Sequence, residues 1–156
     1  MDETRVARSR RDFLMLSAGG LVAAVFASAA SPVQAAVADV DALVTKMTAG
    51  KKVADGRIAL ELPSIAENGL VVPLNFTVES PMTADDYVKA VHILADGNPN
   101  PQIADFTFTP MSPKASAQIR IRLAKTQNVV VVAEMSNGEF YSTKKEVKVT
   151  IGGCGG

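Results

Sequence analysis

Residues 129–151 read VVVVAEMSNGEFYSTKKEVKVTI. Asn137-Gly138 is the strongest hairpin signal in the chain, because a two-residue turn demands positive φ and these residue types tolerate it. Val129–Glu134 enters the turn and Phe140–Ile151 leaves it, both rich in β-branched residues. Two runs joined so tightly must lie side by side and antiparallel. This hairpin sets the reading of everything before it.

Working towards the N-terminus, the same pattern recurs. Ala115–Ala124 and Ile103–Thr109 read as strands, and Asp96–Pro101 (DGNPNP) between two such runs is a loop of turn formers. Val88–Ala95 (VKAVHILA) alternates. Leu70–Glu79 (LVVPLNFTVE) is a strand interrupted by Pro73, which places that position at an edge or a bulge. Glu67-Asn68-Gly69 reads as a turn, and Arg57–Leu62 as a further strand stopped by Pro63. Only Asp39–Thr48 has helical period: Val40, Leu43, Val44 and Met47 share one face, with Asp39 placed to cap the start and Gly50 to end it.

One short helix followed by about seven strands predicts a mainly β chain, an immunoglobulin-like antiparallel β-sandwich with a short N-terminal helix. A small β-barrel is the competing architecture. No βαβ rhythm is present, which argues against nucleotide-binding parallel folds. The core must be aliphatic, because the chain has no Trp and few aromatics.

The first 35 residues read differently. Arg10-Arg11 is followed by Asp12-Phe13-Leu14, then by an apolar run to Ala30 diluted with Ala, Gly and Ser. Val33 and Ala35 stand as the small residues of a cleavage site. This layout resembles a twin-arginine export signal, which carries folded proteins across a bacterial inner membrane. The run is too short and dilute for a typical membrane span. Residues 1–35 are therefore expected to be removed, leaving residues 36–151 as one β-sandwich domain and residues 152–156 as a flexible arm. The mature part keeps 12 basic and 13 acidic residues. No basic patch points to nucleic acid.

Catalytic signatures are missing. The sequence has no G-x-S-x-G, H-E-x-x-H or C-x-x-C, and its one His and one Cys are far apart, so neither metal nor cofactor is expected. His92 lies within a strand and reads as a paired side chain. Asp85-Asp86 reads as a solvated turn.

What remains is the tail, Gly152-Gly153-Cys154-Gly155-Gly156. A lone thiol in an exported protein implies an intermolecular pairing or a reactive group. Four glycines offer no side chains to pack, so the cysteine cannot be a core residue there. An extended arm gives Cys154 a reach of about 10 Å beyond Ile151, at about 3.3–3.6 Å per residue. Nothing local activates the thiol, and near its ordinary pKa only about 3 % is thiolate at pH 7. Activation must come from a partner's site. The pattern is that of a carried group.

These residues resemble the SoxY family, the sulfur carriers of the periplasmic thiosulfate-oxidising (Sox) system. The terminal G-G-C-G-G carries the resemblance. Pro63-Ser64-Ile65-Ala66-Glu67-Asn68-Gly69 with Val72-Pro73, Asn98-Pro99-Asn100-Pro101, and Arg120-Ile121-Arg122-Leu123 with Thr126-Gln127 support it. The resemblance implies that Cys154 is the attachment point and that the chain is not itself an enzyme. It implies a heterodimer with SoxZ, co-exported as a folded pair. It further implies visits to the cytochrome SoxXA, which would join the sulfane sulfur of thiosulfate to Cys154. The hydrolase SoxB would release sulfate, and the molybdenum enzyme SoxCD, where present, would oxidise the remaining sulfur.

The Pro63–Gly69 segment has two readings, a folding turn with Ile65 buried or a platform under the tail or at the SoxZ interface; the turn is the expectation. Two other functions stay open. A Gly-Gly end also suits a thiocarboxylate carrier, although that chemistry is cytoplasmic. A structural sandwich tethered by a Cys154 disulfide is the other, and a Cys154-linked dimer is an expected oxidised resting form in either case.

Overall fold

The computed structural model describes residues 35–153, with the backbone alone for 35–39. A helix, α1 (Ala35–Met47), leads into nine strands: β1 (Val53–Asp55), β2 (Ile58–Glu61), β3 (Ile65–Asn68), β4 (Val72–Val78), β5 (Val88–Ala95), β6 (Gln102–Thr107), β7 (Ala115–Ile121), β8 (Gln127–Met135) and β9 (Phe140–Ile151). The predicted β5 and β9 are reproduced residue for residue. The helix starts earlier than expected and runs through Asp39, so Asp39 is not its cap. Its end is as expected: Gly50 adopts φ 73° and its N–H donates to Thr45 O at 2.9 Å.

The strands form two sheets, a larger one in the order β1-β9-β8-β5-β6 and a smaller one in the order β2-β4-β7. The architecture is the mainly β sandwich that the strand pattern predicts. Pairing is antiparallel except on the free side of β9, where both β1 and β3 run parallel to it. The hairpin at Asn137-Gly138 brings β8 against β9, with Ala133 opposite Tyr141 and Gln127 opposite Val147. Pro73 lies in β4, the middle strand of the small sheet, but beyond the last residue paired with β2, where Glu61 meets Asn75. The strand is locally an edge on the β2 side there, while Pro73 stays paired with Arg120 of β7.

Alternation explains the core. Val72, Leu74, Phe76 and Val78 of β4 point inwards, and Val129, Val131, Ala133 and Met135 of β8 meet them from the other sheet. The centre is aliphatic, as the composition requires. Phe76 meets Phe106 and Phe108 edge to face, the closer pair 5.2 Å between centroids, and Phe106 and Phe108 stack on each other. Leu94, Val132 and Phe140 are buried outside the inter-sheet core. They lie on the outer face of the large sheet, and Val40 of α1 is likewise buried outside the inter-sheet core.

Candidate functional site

The site is the end of β9. Its last four residues outrun β8, whose final partner is Val147. Two other segments support them. On one side β3 runs parallel, with Lys148 N–H donating to Ser64 O at 3.0 Å and Gly69 N–H donating to Ile151 O at 2.8 Å. On the other, the Thr126 hydroxyl accepts from Val149 N–H at 2.9 Å.

Past Ile151 the chain enters a notch. Gly153 N–H donates to Leu123 O at 2.9 Å, and Leu123 N–H donates to Gly69 O at 2.8 Å. Three segments distant in sequence are thus joined by consecutive backbone bonds. The approach is too close for side chains. A Cβ on Gly69 would lie 2.1 Å from Leu123 O and 2.8 Å from Gly153 N. A Cβ on Gly152 would lie 2.2 Å from Ala124 O, and one on Gly153 would lie 2.7 Å from Gly69 O. None of these three glycines has a positive φ. They are glycines because backbone meets backbone.

This changes the expectation for the tail. Gly152 and Gly153 were expected to belong to a free arm, yet Gly153 is buried and hydrogen-bonded to the domain. Cys154, Gly155 and Gly156 lie outside the described residues, as do Arg10 and Arg11 of the expected export signal. The docking is weak by its parts. One backbone hydrogen bond contributes about 0.5–1.5 kcal/mol net, enough to populate the docked tail and little enough to reverse it.

The Pro63–Gly69 segment also differs from the expected turn. It is strand β3 beside β9, and Ile65 is exposed while Ala66 is buried. Gly69 lies under the tail, so the platform reading describes it. The sequence pointed to Gly69 only as a turn residue. The carbonyls of Leu123 and Ala124 carry no sequence signal, because any residue supplies one.

The loop that offers those carbonyls is held by buried amides. Asn98 Oδ1 accepts from Ala124 N–H at 2.9 Å and from Gln127 Nε2 at 2.8 Å, and Asn98 Nδ2 donates to Arg122 O at 2.9 Å. Gln127 Oε1 accepts from Gly97 N–H at 2.6 Å. Asp96 accepts from both the backbone and the side chain of Asn128, each at 2.8 Å. Asn98, Gln127 and Asp96 are all buried. The two motifs around Asn98 and Gln127, separate in sequence, form one clamp.

The surface beside the notch is apolar. Leu70, Val71 and Ile151 flank it, 43 %, 56 % and 67 % exposed, and Ile65 stands at the other end of β3. Large exposed aliphatics gathered in one place mark a contact surface. Elsewhere, His92 pairs with Asp105 across β5 and β6 at 2.6 Å, and Gln102 Nε2 holds the other carboxylate oxygen. That is the paired histidine expected. Among the described residues no three His, Cys, Asp or Glu side chains form a metal-binding group, and no helix is long and apolar enough to cross a membrane.

Known proteins share this fold to different depths. The SoxY sulfur carrier protein of Chlorobium limicola f. thiosulfatophilum superposes with a TM-score of 0.62 at 28 % identity, covering 75 % of this chain and 97 % of that one. A superoxide reductase (neelaredoxin) of Ignicoccus hospitalis matches at 17 % identity and a TM-score of 0.50, over 60 % of this chain and 80 % of that one. A hypothetical protein of Pyrococcus horikoshii matches at 14 % and 0.51, over 66 % and 98 %. The last two likenesses are of fold alone. No curated protein matches the sequence. The family described as "Sulfur oxidation protein SoxY" matches residues 44–154, from within α1 through the clamp and the notch to the cysteine. With that span matched, the chain belongs to the SoxY family of sulfur carriers in sulfur oxidation.

Proposed function

We propose that this protein is a periplasmic carrier that binds thiosulfate-derived sulfur covalently on Cys154 and presents it to the enzymes of the Sox system, exported by the twin-arginine route. One observation carries the reading most directly. Gly152 and Gly153 lie in a notch built from glycines and backbone carbonyls, and the next residue in the sequence is the only cysteine.

The chemistry balances with an external oxidant. The Cys154 thiol and the sulfane sulfur of thiosulfate form an S–S bond, releasing one proton and passing two electrons to the haem protein SoxXA. Water then attacks the terminal sulfonate sulfur in the SoxB site. Sulfate leaves, and a persulfide stays on Cys154. Where SoxCD is present, it takes six electrons from that outer sulfur, three waters supply the oxygens of a sulfonate, and a second hydrolysis releases this as sulfate and restores the thiol. Every step is done by a partner. This chain contributes a nucleophile, an arm and a place to dock.

The apolar surface supports that division of work. A partner acting on Cys154 must approach within the arm's reach, and so must face Leu70, Val71 and Ile151. SoxZ is the proposed stable partner. A Cys154-linked dimer would be an oxidised resting form.

Intact-mass measurement after thiosulfate turnover with the purified partners tests the proposal. Adducts of sulfur or thiosulfonate mass on Cys154 are expected, and Cys154→Ser should abolish turnover. Unmodified protein together with full turnover by Cys154→Ser would overturn it. Loss of the disulfide-linked dimer with turnover intact would favour a tether instead.

A further inference from the structure

We infer that the arm is latched at its base, with Gly69 and the carbonyls of Leu123 and Ala124 acting as the positioning elements. The inference rests on the carrier reading for its purpose, but not for its geometry. In the latched state Gly152 and Gly153 are held on the domain and Gly153 N–H is bonded to Leu123 O. Anchored at Gly153, an extended chain would give the next residue a reach of about 3.5 Å, one residue's length. Released at Ile151, the same residue reaches about 10 Å. The latch therefore sets whether the thiol stays by the apolar surface or enters a deep cleft.

The geometry makes the latch reversible and selective. Among the described residues one hydrogen bond, Gly153 N–H to Leu123 O, joins the tail to the notch. The fit is set by missing Cβ atoms at Gly69, Gly152 and Gly153, each of which would meet a backbone atom at 2.8 Å or less. Adding one methyl group to Gly152 brings it to 2.2 Å from Ala124 O. The carbonyl belongs to a loop clamped by Asn98, so the tail must yield first. Gly152 is outside β9, and its displacement breaks no strand pairing.

Amide hydrogen exchange on the full mature chain tests this without any sulfur chemistry. In the wild type, the Gly153 amide should exchange at least several-fold more slowly than in an unstructured peptide of the same sequence. Gly152→Ala should remove that protection while Lys148, bonded to Ser64 O in the β3–β9 ladder, stays protected. Gly155→Ala, which adds the same methyl beyond the notch, should leave Gly153 protected. An unprotected Gly153 amide in the wild type overturns the latch. So does protection that survives Gly152→Ala, or that Gly155→Ala removes equally. The carrier reading is judged separately by the Cys154 adduct, so either can fail alone.

Discussion

Asn98→Ala gives the clearest measure of how the notch is held. Asn98 is 4 % exposed, and its side chain makes three hydrogen bonds, to Ala124 N–H, Gln127 Nε2 and Arg122 O. Truncation leaves the Ala124 donor and the Arg122 acceptor without their side-chain partner in a part-buried site. Gln127 Nε2 keeps its bond to Lys125 O. Each buried group left unsatisfied costs about 1–3 kcal/mol, so the two together predict a loss of about 2–6 kcal/mol, with the part-buried site placing it in the lower half. For a domain of this size a loss of 1 kcal/mol lowers Tm by about 3–5 °C, so the variant should melt about 10 °C lower. Asn98→Asp should also be destabilising, because a carboxylate oxygen would face Arg122 O in place of the amide donor. Asn100→Ala is the control: Asn100 is exposed and makes one long bond, to Gln102 N–H at 3.3 Å. Calorimetric or circular-dichroism melts of the three variants suffice. If Asn98→Ala melts within about 2 °C of the wild type, or no lower than Asn100→Ala, the clamp is not what holds this loop.

Gly69→Ala should lower stability by about 1–3 kcal/mol through overpacking, read by denaturant melts, since its Cβ would meet Leu123 O at 2.1 Å; an unchanged midpoint would refute the close approach. Val71→Glu should raise the KM of partner enzymes for the loaded carrier without lowering its Tm, whereas Met111→Glu, at a residue 94 % exposed on another loop, should not. Equal kinetics for the two would remove the apolar surface from the docking account. Hydrogen bonds from Asn137 Nδ2 and Tyr141 OH hold the Glu139 carboxyl below its ordinary value of 4.5. Its stabilising contribution is therefore complete above that value and is lost as pH falls through the folded-state value. An NMR titration should find the midpoint below 4.5, moving upwards in Asn137→Ala; an ordinary midpoint would contradict the geometry.

Much of the fold was legible because strands write a two-residue period into the chain. Val88–Ala95 and Phe140–Ile151 were marked by alternation and by the turn between β8 and β9. Pro73 was legible as an edge position, although only pairing shows that the edge is local to one end of a central strand. The Pro63–Gly69 segment misled, because Asn-Gly is a turn pair in most contexts. Here Asn68 Oδ1 does accept from Leu70 N–H at 2.9 Å, but the four residues Ile65–Asn68 form a parallel strand on β9. Parallel pairing joins distant segments and leaves no short-range mark. The helix began before its apparent cap for a similar reason: a cap residue is a preference of sequence, not a requirement.

The sequence by itself determined the class of sandwich, the aliphatic core, the family, and the residue that follows the last glycine of the notch. Those are properties of composition, periodicity and a short motif, and each is local. Only the tertiary structure decided what the glycines before Cys154 do. Gly69, Gly152 and Gly153 meet where three segments cross, and the space between their backbones admits no Cβ. A glycine's freedom to move can be read from its type, but its use as the one residue that fits requires knowing which carbonyl lies opposite.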